Sequence, residues 1–290
     1  MPEYLTTREL ADLLRIGERK AYDLASSGEI PCVRAMGKLL FPKADVIAWL
    51  NGSRTGPHVA EPPLPPIMAG SHDPLLDWAL RESGSGLATY YDGSFDGLTR
   101  LAERSAQAAA LHIHEQNGFN TTTLRSAVGE APVVLFEIAR RERGLLLAPG
   151  TRNISGFADV AGHRVIMRQN SAASQRLFEA ELHSHNIARA DLDTAGTCAR
   201  TEEDLAVALH EAKADVGFGL GALAGLYNLG FVPTHTERLD LAIWRRAYFE
   251  PPMQKLLRFL KSDQFADRAS EFGGYDLSHS GHIHYNGTSG

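Results

Sequence analysis

Five prolines fall within the ten residues from Pro57 to Pro66, inside a stretch, Asn51 to Gly70, that reads NGSRTGPHVAEPPLPPIMAG. Proline fixes φ and removes a backbone donor, so this stretch suits neither a helix interior nor a central strand and forms an extended, semi-rigid spacer. The chain is thereby divided into a small unit, residues 1–54, a linker, residues 55–66, and a large unit, residues 67–290. Each unit has to bury its own core. No apolar run approaches the length of a membrane span, and the N-terminus passes straight into a capped helix rather than a signal peptide, so a cytoplasmic location is expected. Cys32 and Cys198 stand alone, with no spacing that implies a zinc site or a disulfide framework.

The first unit reads as two short helices, a hairpin and a closing helix. Thr6 and Glu9 have the spacing of a capping box, which starts a helix near Thr7 with Leu10, Ala11, Leu13 and Leu14 at helical period. Ile16-Gly17 breaks the run and Glu18 to Ser26 resumes it, with Ala21, Leu24 and Ala25 inward; Gly28 ends it. Val33 to Phe41 reads as a hairpin with its tip at Gly37, and Pro42 to Leu50 as the last helix. Two helices joined by a turn of three or four residues make a helix-turn-helix, whose second helix enters the major groove of DNA. The candidate DNA contacts are Arg19, Lys20 and Tyr22 on the outer side of the second helix, Arg34 and Lys38 on the hairpin, and Thr7. Residues 1–56 hold eight Lys or Arg against seven Asp or Glu, so one copy neutralises few phosphates. A homodimer or higher oligomer on a repeated or palindromic site is therefore expected.

These residues carry a resemblance. LTTRELADLL, SSGEIPCVR and FPKADVIAWL, within Tyr4 to Leu50, resemble the excisionase-type and MerR-like winged helix-turn-helix family, which implies double-stranded DNA as a partner.

The second unit carries about −7 of the chain's net −6 and should repel DNA. Its short apolar runs alternate with amphipathic helices, which predicts an α/β domain of mostly parallel sheets covered by helices. Expected strands include Val133 to Ile138, Leu145 to Ala148, Arg164 to Met167 and Leu239 to Ile243. Expected helices include Pro74 to Arg81, Phe95 to Arg104, Ala172 to His185 and Glu202 to Glu211. Several strands run into small polar residues at a helix start: Gly70 to Asp73, Asp92 to Ser94, and Arg168 to Ser171. Free amides at helix N-termini make anion sites. In open α/β sheets ligands sit at the carboxyl ends of strands.

The same loops resemble the periplasmic-binding-protein superfamily, in its cytoplasmic form fused to helix-turn-helix domains and related to molybdate- and tungstate-binding proteins. The resemblance rests on SHDPLLDWAL, YDGSFDGLTRLA, LHIHE, RRERGLLLAPGTRNISGFADV, VIMRQNSAASQRLF, ADVGFG and FGGYD. It implies a two-lobed, type II domain, with residues 67 to about 142 and 219 to 290 in one lobe and about 143 to 218 in the other. It places Ser71, His72, Asp73 and Ser94 at the ligand from the first lobe, and Arg168, Asn170, Ser171, Ala172, Ala173 and Ser174 from the second. His112 joins them as a candidate. A glycine-rich turn is replaced here by Ser171-Ala172-Ala173-Ser174, so the effector is left open between molybdate, tungstate and a small carboxylate, sulfonate or other anion. No cofactor is implied.

Catalysis finds little support. Ser71-His72-Asp73 are adjacent and cannot form a triad, and no GxSxG elbow occurs. His112 with His114 and His282 with His284 have strand spacing, but no neighbouring carboxylate or cysteine completes a metal set in sequence. A ligand-responsive transcriptional regulator is expected. An enzyme using the cleft and an excisionase-type architectural protein are the alternatives.

Overall fold

The structure, a computed structural model, describes residues 4–35, 37–52 and 62–287. Chain contacts divide it into two compact units, Met1–Pro62 and Pro63–Gly290. Met36 and residues 55–61 of the expected linker lie outside the described residues.

In the first unit β1 (Tyr4–Leu5) leads into α1 (Thr7–Leu14). Thr6 Oγ1 accepts the Glu9 amide at 3.3 Å while Glu9 Oε2 accepts the Thr6 amide at 2.8 Å, completing the expected capping box. A turn through Arg15, which is left-handed at φ 53°, passes to α2 (Glu18–Ser26). β2 (Val33–Ala35) and β3 (Lys38–Pro42) form the wing, with Gly37 at φ +72° in its turn, and β1 pairs with the other edge of β3. α3 (Lys43–Gly52) closes the unit over a core of Leu5, Leu10, Ala11, Ala21, Ala25, Ile30, Phe41 and Val46.

The second unit begins with β4 (Ile67–Gly70), α4 (Pro74–Glu82), β5 (Ala88–Tyr91), α5 (Ser94–Ala102) and β6 (Ala108–Leu111), with β4 parallel to both β5 and β6. A ribbon of β7 (His114–Glu115) and β8 (Gly118–Phe119) and then α6 (Thr121–Val128) follow. β9 (Val133–Leu147) crosses into a second lobe made of β10 (Arg164–Arg168), α7 (Ala173–Ser184), β11 (Asp193–Ala199), α8 (Glu202–His210), β12 (Val216–Leu220) and α9 (Ala222–Tyr227). β13 (Gly230–Trp244) returns, and α10 (Arg245–Tyr248), α11 (Pro251–Phe259), α12 (Asp263–Phe272), β14 (Tyr275–Asp276) and β15 (Ile283–Asn286) complete the first lobe.

The strand order is β11-β10-β12-β9-β13-β6-β4-β5, with β14 and β15 added to β9. β9 and β13 pair antiparallel over their whole length, from Val133 opposite Trp244 to Leu147 opposite Gly230. The sheet is consequently mixed, not mostly parallel. The two strands expected at 133–138 and 145–148 are one strand, because Arg141 and Arg143 are buried in its middle instead of forming a loop. The lobe boundary also moves. Leu220, Leu223, Leu229 and Phe231 pack with Leu146, Ile166 and Leu205, so residues 219–232, expected in the first lobe, sit in the second. The return crossing falls on β13, where the pairing slips at Pro233/His235 and at Leu239/Asp240.

Candidate functional site

The loops that leave β4, β5 and β6 meet those of the second lobe. Ser71 Oγ and Ser94 Oγ lie 2.8 Å apart, and Ser94 Oγ accepts the His112 amide at 3.2 Å. Gly93 takes φ +96°, and a Cβ built there would stand 2.5 Å from the carbonyl oxygen of Ser171 in the opposite lobe. The N-terminus of α5 therefore abuts that of α7. Neither helix has a side-chain cap, the N-cap residues being Gly93 and Ala172. Their orphan amides leave two partially positive helix ends together, where an anion is stabilised.

Of the expected ligand residues, Ser71, His72, Ser94, Ala172, Ala173 and Ser174 are buried around this junction, with Ser171 at its edge. Ala173 packs into the hydrophobic core of the first lobe. Ala172 needs no glycine, because its φ is −75°. Asn170 is exposed and lines a separate hollow with Arg189 and Cys198. Asp73, expected to face the ligand, is occupied within the protein. Its Oδ1 caps α4 by accepting the Leu76 amide at 2.8 Å, and its Oδ2 accepts Arg141 Nη1 at 2.6 Å and the Tyr275 hydroxyl at 2.9 Å.

Between the lobes lies a buried ionic network. Glu237, on β13, accepts Arg141 Nε at 2.6 Å, Arg143 Nε at 2.8 Å and Arg143 Nη2 at 2.9 Å, and lies 3.2 Å from His112 Nδ1. Arg143 Nη2 also reaches Glu202 at 3.0 Å. Arg168 Nη1 is 2.7 Å from Glu202 but out of line for a hydrogen bond, while its Nε and Nη2 donate to the carbonyls of Ala199 and Arg200. Three guanidiniums, of Arg141, Arg143 and Arg168, thus face three carboxylates, of Asp73, Glu202 and Glu237. Burial alone would raise the Glu202 carboxyl, but Arg143 and Arg168 pull it down to about 2. Burial holds the His112 imidazole below its ordinary value against the pull of Glu237, which favours the neutral ring.

This network links Asp73 of the first lobe to Glu202 and Arg168 of the second through both crossing strands. Nothing local in the sequence points to Arg141, Arg143, Glu237 and Tyr275, and Glu202 reads there only as the acidic start of a helix. Among the polar atoms buried with no hydrogen-bond partner are His72 Nδ1 and Ser174 Oγ at the junction and Arg141 Nη2 and Arg168 Nη1 in the network. At the mouth, Arg200 Nη2 lies 2.8 Å from Asp92 Oδ1 and the Arg176 guanidinium stands 3.6 Å from the Phe95 ring centroid. An exposed ion pair of this kind is worth at most about 1 kcal/mol.

In the first unit Thr7, Tyr22, Arg34 and Lys38 line one groove of about 560 Å³, together with Arg8, which carries no signal of its own in the sequence. Arg19 and Lys20 are exposed on α2 outside the lining of that groove. Among the described residues no helix is long and apolar enough to cross a membrane.

Residues 78–261 match the family model of the PBP superfamily domain, and residues 4–54 match that of a helix-turn-helix domain. Over 299 residues the chain is 21% identical to YvgK, an uncharacterised protein of Bacillus subtilis (strain 168), with 96% of each chain covered. It is similar to a structure from Clostridium perfringens, assigned as a phosphate ABC transporter substrate-binding protein and determined with bound phosphate. That match has a TM-score of 0.54 at 11% identity and covers 73% of this chain and 98% of that one. The regulatory domain of MetR, a LysR family regulator from N. meningitidis, aligns at TM-score 0.49 and 12% identity, covering 72% of this chain and 96% of that one. At 11% identity it is the fold that is shared with the phosphate-bound structure.

Proposed function

The chain belongs to the PBP superfamily, and from that premise we propose that it is a one-component transcriptional regulator of the cytoplasm, in which a small anion in the cleft governs a DNA-binding helix-turn-helix. The observation that carries the anion is the meeting of two uncapped helix N-termini at buried Ser174 Oγ, with Arg141 Nη2 in the adjoining network, neither atom having a hydrogen-bond partner. A guanidinium nitrogen can only donate, so Arg141 Nη2 calls for an acceptor. Because the buried arginines are already matched by carboxylates, the ligand's charge is met by aligned amides and hydroxyls rather than by a spare cation. That suits a compact oxyanion of the molybdate or tungstate kind, or a small organic anion.

Thermal-shift and calorimetric titrations with molybdate, tungstate, phosphate, sulfate and small carboxylates test this. One class should bind, and Ser94→Ala or Ser174→Ala should each weaken it by about 1.5–3 kcal/mol, the worth of a hydrogen bond to a charged group. Molybdate is eliminated if it gives no shift while another anion does. The anion reading itself fails if none of them binds.

On the DNA side, α2 and the wing divide the work, with a homodimer doubling the phosphate contacts that one weakly basic module offers. Arg19→Ala should relax preference at one base position by about 1–3 kcal/mol, whereas Lys38→Ala should weaken all sequences alike and lower the salt slope by about one. Gel-shift titrations at two salt concentrations, on target and scrambled duplexes, separate the two effects. If neither variant changes DNA affinity, the groove of the first unit serves another partner.

A further inference from the structure

Three side chains able to ligate a metal cross three neighbouring strands of the first lobe. Asp240 on β13 stands directly opposite Glu137 on β9, and β15 pairs with the other edge of β9, where His284, at the register shift between Ile283 and Tyr285, reaches Glu137 with its ring. Glu137, Asp240 and His284 each offer one ligand atom, and these atoms all lie within 4.8 Å of one another. Both carboxylates are fully buried, and His284 Nε2 lies 2.8 Å from Glu137 Oε2. The sequence pairs His282 with His284 but shows no carboxylate near them. The fold supplies two.

The two carboxylates stand directly opposite one another, each with one arginine beside it. Like charges directly opposite on adjacent strands repel. Arg238 places Nε and Nη2 on Asp240, but the arginine beside Glu137, Arg140, is 45% exposed at 3.2 Å. His282, exposed just before β15, accepts the Glu137 amide at its carbonyl, and its ring centroid lies 4.7 Å from that of His284, so it is placed to add a further nitrogen.

We propose that Glu137, Asp240 and His284, with His282 as a fourth donor, bind a divalent first-row transition-metal ion, Zn²⁺ being the type. Hard ions such as Mg²⁺ and Ca²⁺ take oxygen ligands, whereas an imidazole-carboxylate set suits zinc and its neighbours. Zinc holds nitrogen and oxygen at about 2.0–2.2 Å in a tetrahedron, which requires ligand atoms roughly 3.4 Å apart, so the His284–Glu137 pair at 2.8 Å has to spread while the wider separations, up to 4.8 Å, close. Arg238 Nη1 donates to His284 Nδ1 at 3.1 Å, so Nε2 carries the ring proton in the metal-free protein. On metal binding at Nε2 that proton transfers to Nδ1, and Arg238 gives up this contact while remaining on Asp240 and on the Phe119 carbonyl. The ion then ties the tail strand β15 to both strands that cross between the lobes.

The test is titration of the full-length, chelator-stripped protein with ZnCl₂ by calorimetry and with CoCl₂ by visible absorption. One equivalent should bind, with the d–d bands of four-coordinate cobalt and a rise in melting temperature. His284→Gln and Asp240→Asn should each weaken binding by at least about a hundredfold, since even outer-shell changes at metal sites cost 10- to 100-fold. Wild-type protein that takes up no stoichiometric ion, or variants that bind it as the wild type does, would overturn the proposal. If either variant fails to fold by circular dichroism, the wild-type cobalt spectrum and the other variant still decide.

Discussion

Glu237→Ala is expected to destabilise the second domain by about 3–5 kcal/mol, the usual loss when one partner of a buried ion pair is removed. Glu237 is only 2% exposed and is the acceptor shared by Arg141 and Arg143, with His112 beside it. Without it two guanidiniums, two residues apart on β9, face each other in a dry interior. Arginine cannot escape by losing its proton. Arg141 keeps Asp73 and Arg143 keeps Glu202, which is why the loss stays within this range instead of abolishing the fold. Urea unfolding followed through Trp78 and Trp244 measures it, and a midpoint within experimental scatter of the wild type would show that the network contributes little. The same network fixes a pH response. A carboxyl depressed in the folded state adds stability above its unfolded value and loses it as the pH falls. Glu202, ordinarily near 4.5 and held at about 2 here, contributes in full above pH 4.5 and is withdrawn between there and pH 2.

That network also marks where the sequence became hard to read. The capping box at Thr6, the hairpin at Gly37 and the helices beginning near Pro74, Ser94 and Glu202 are local, set by caps and periodicity, and they are legible from residues a few positions apart. β9 was not. Arg140-Arg141-Glu142-Arg143 looks like a solvated turn between two apolar strands, because burying two arginines is unfavourable unless acids from elsewhere meet them. Those acids, Glu237 and Glu202, lie more than fifty residues away in sequence. The missing signal was period-two alternation: Arg140 and Glu142 point out while Arg141 and Arg143 point in. Likewise Thr236-Glu237-Arg238 looks polar and loop-like, yet in the β13–β9 register Glu237 stands opposite Arg141 and pairs with it. Asp73 is ambiguous in sequence for a related reason. An N-cap carboxylate and a ligand-facing one look alike in sequence.

Gly93→Ala should lower anion affinity by at least about a hundredfold, equivalent to about 2.7 kcal/mol, by keeping the lobes from meeting. Two effects act at this position, and they fall on different measurements. The backbone at φ 96°, ψ 164° lies in a region that only glycine occupies comfortably, a strain of about 1–3 kcal/mol borne whether the lobes are apart or together. That strain lowers stability. The added methyl would also stand 2.5 Å from Ser171 O and 2.7 Å from its carbonyl carbon, in the opposite lobe, and this clash exists only when the lobes close. It therefore opposes ligand binding, which on the proposed reading draws those two helix ends onto the anion. Gly70→Ala provides the contrast. Its φ is +103° and its Cβ would stand 2.3 Å from Ala110 O within the same lobe, so it should lower stability with or without closure. Calorimetry with the bound anion, alongside small-angle scattering of each variant with and without it, distinguishes the cases. Gly93→Ala should stay extended on adding anion where the wild type contracts. If it binds the anion as tightly as the wild type does, the ligand is held without bringing α5 and α7 together, and the two helix N-termini are not its site.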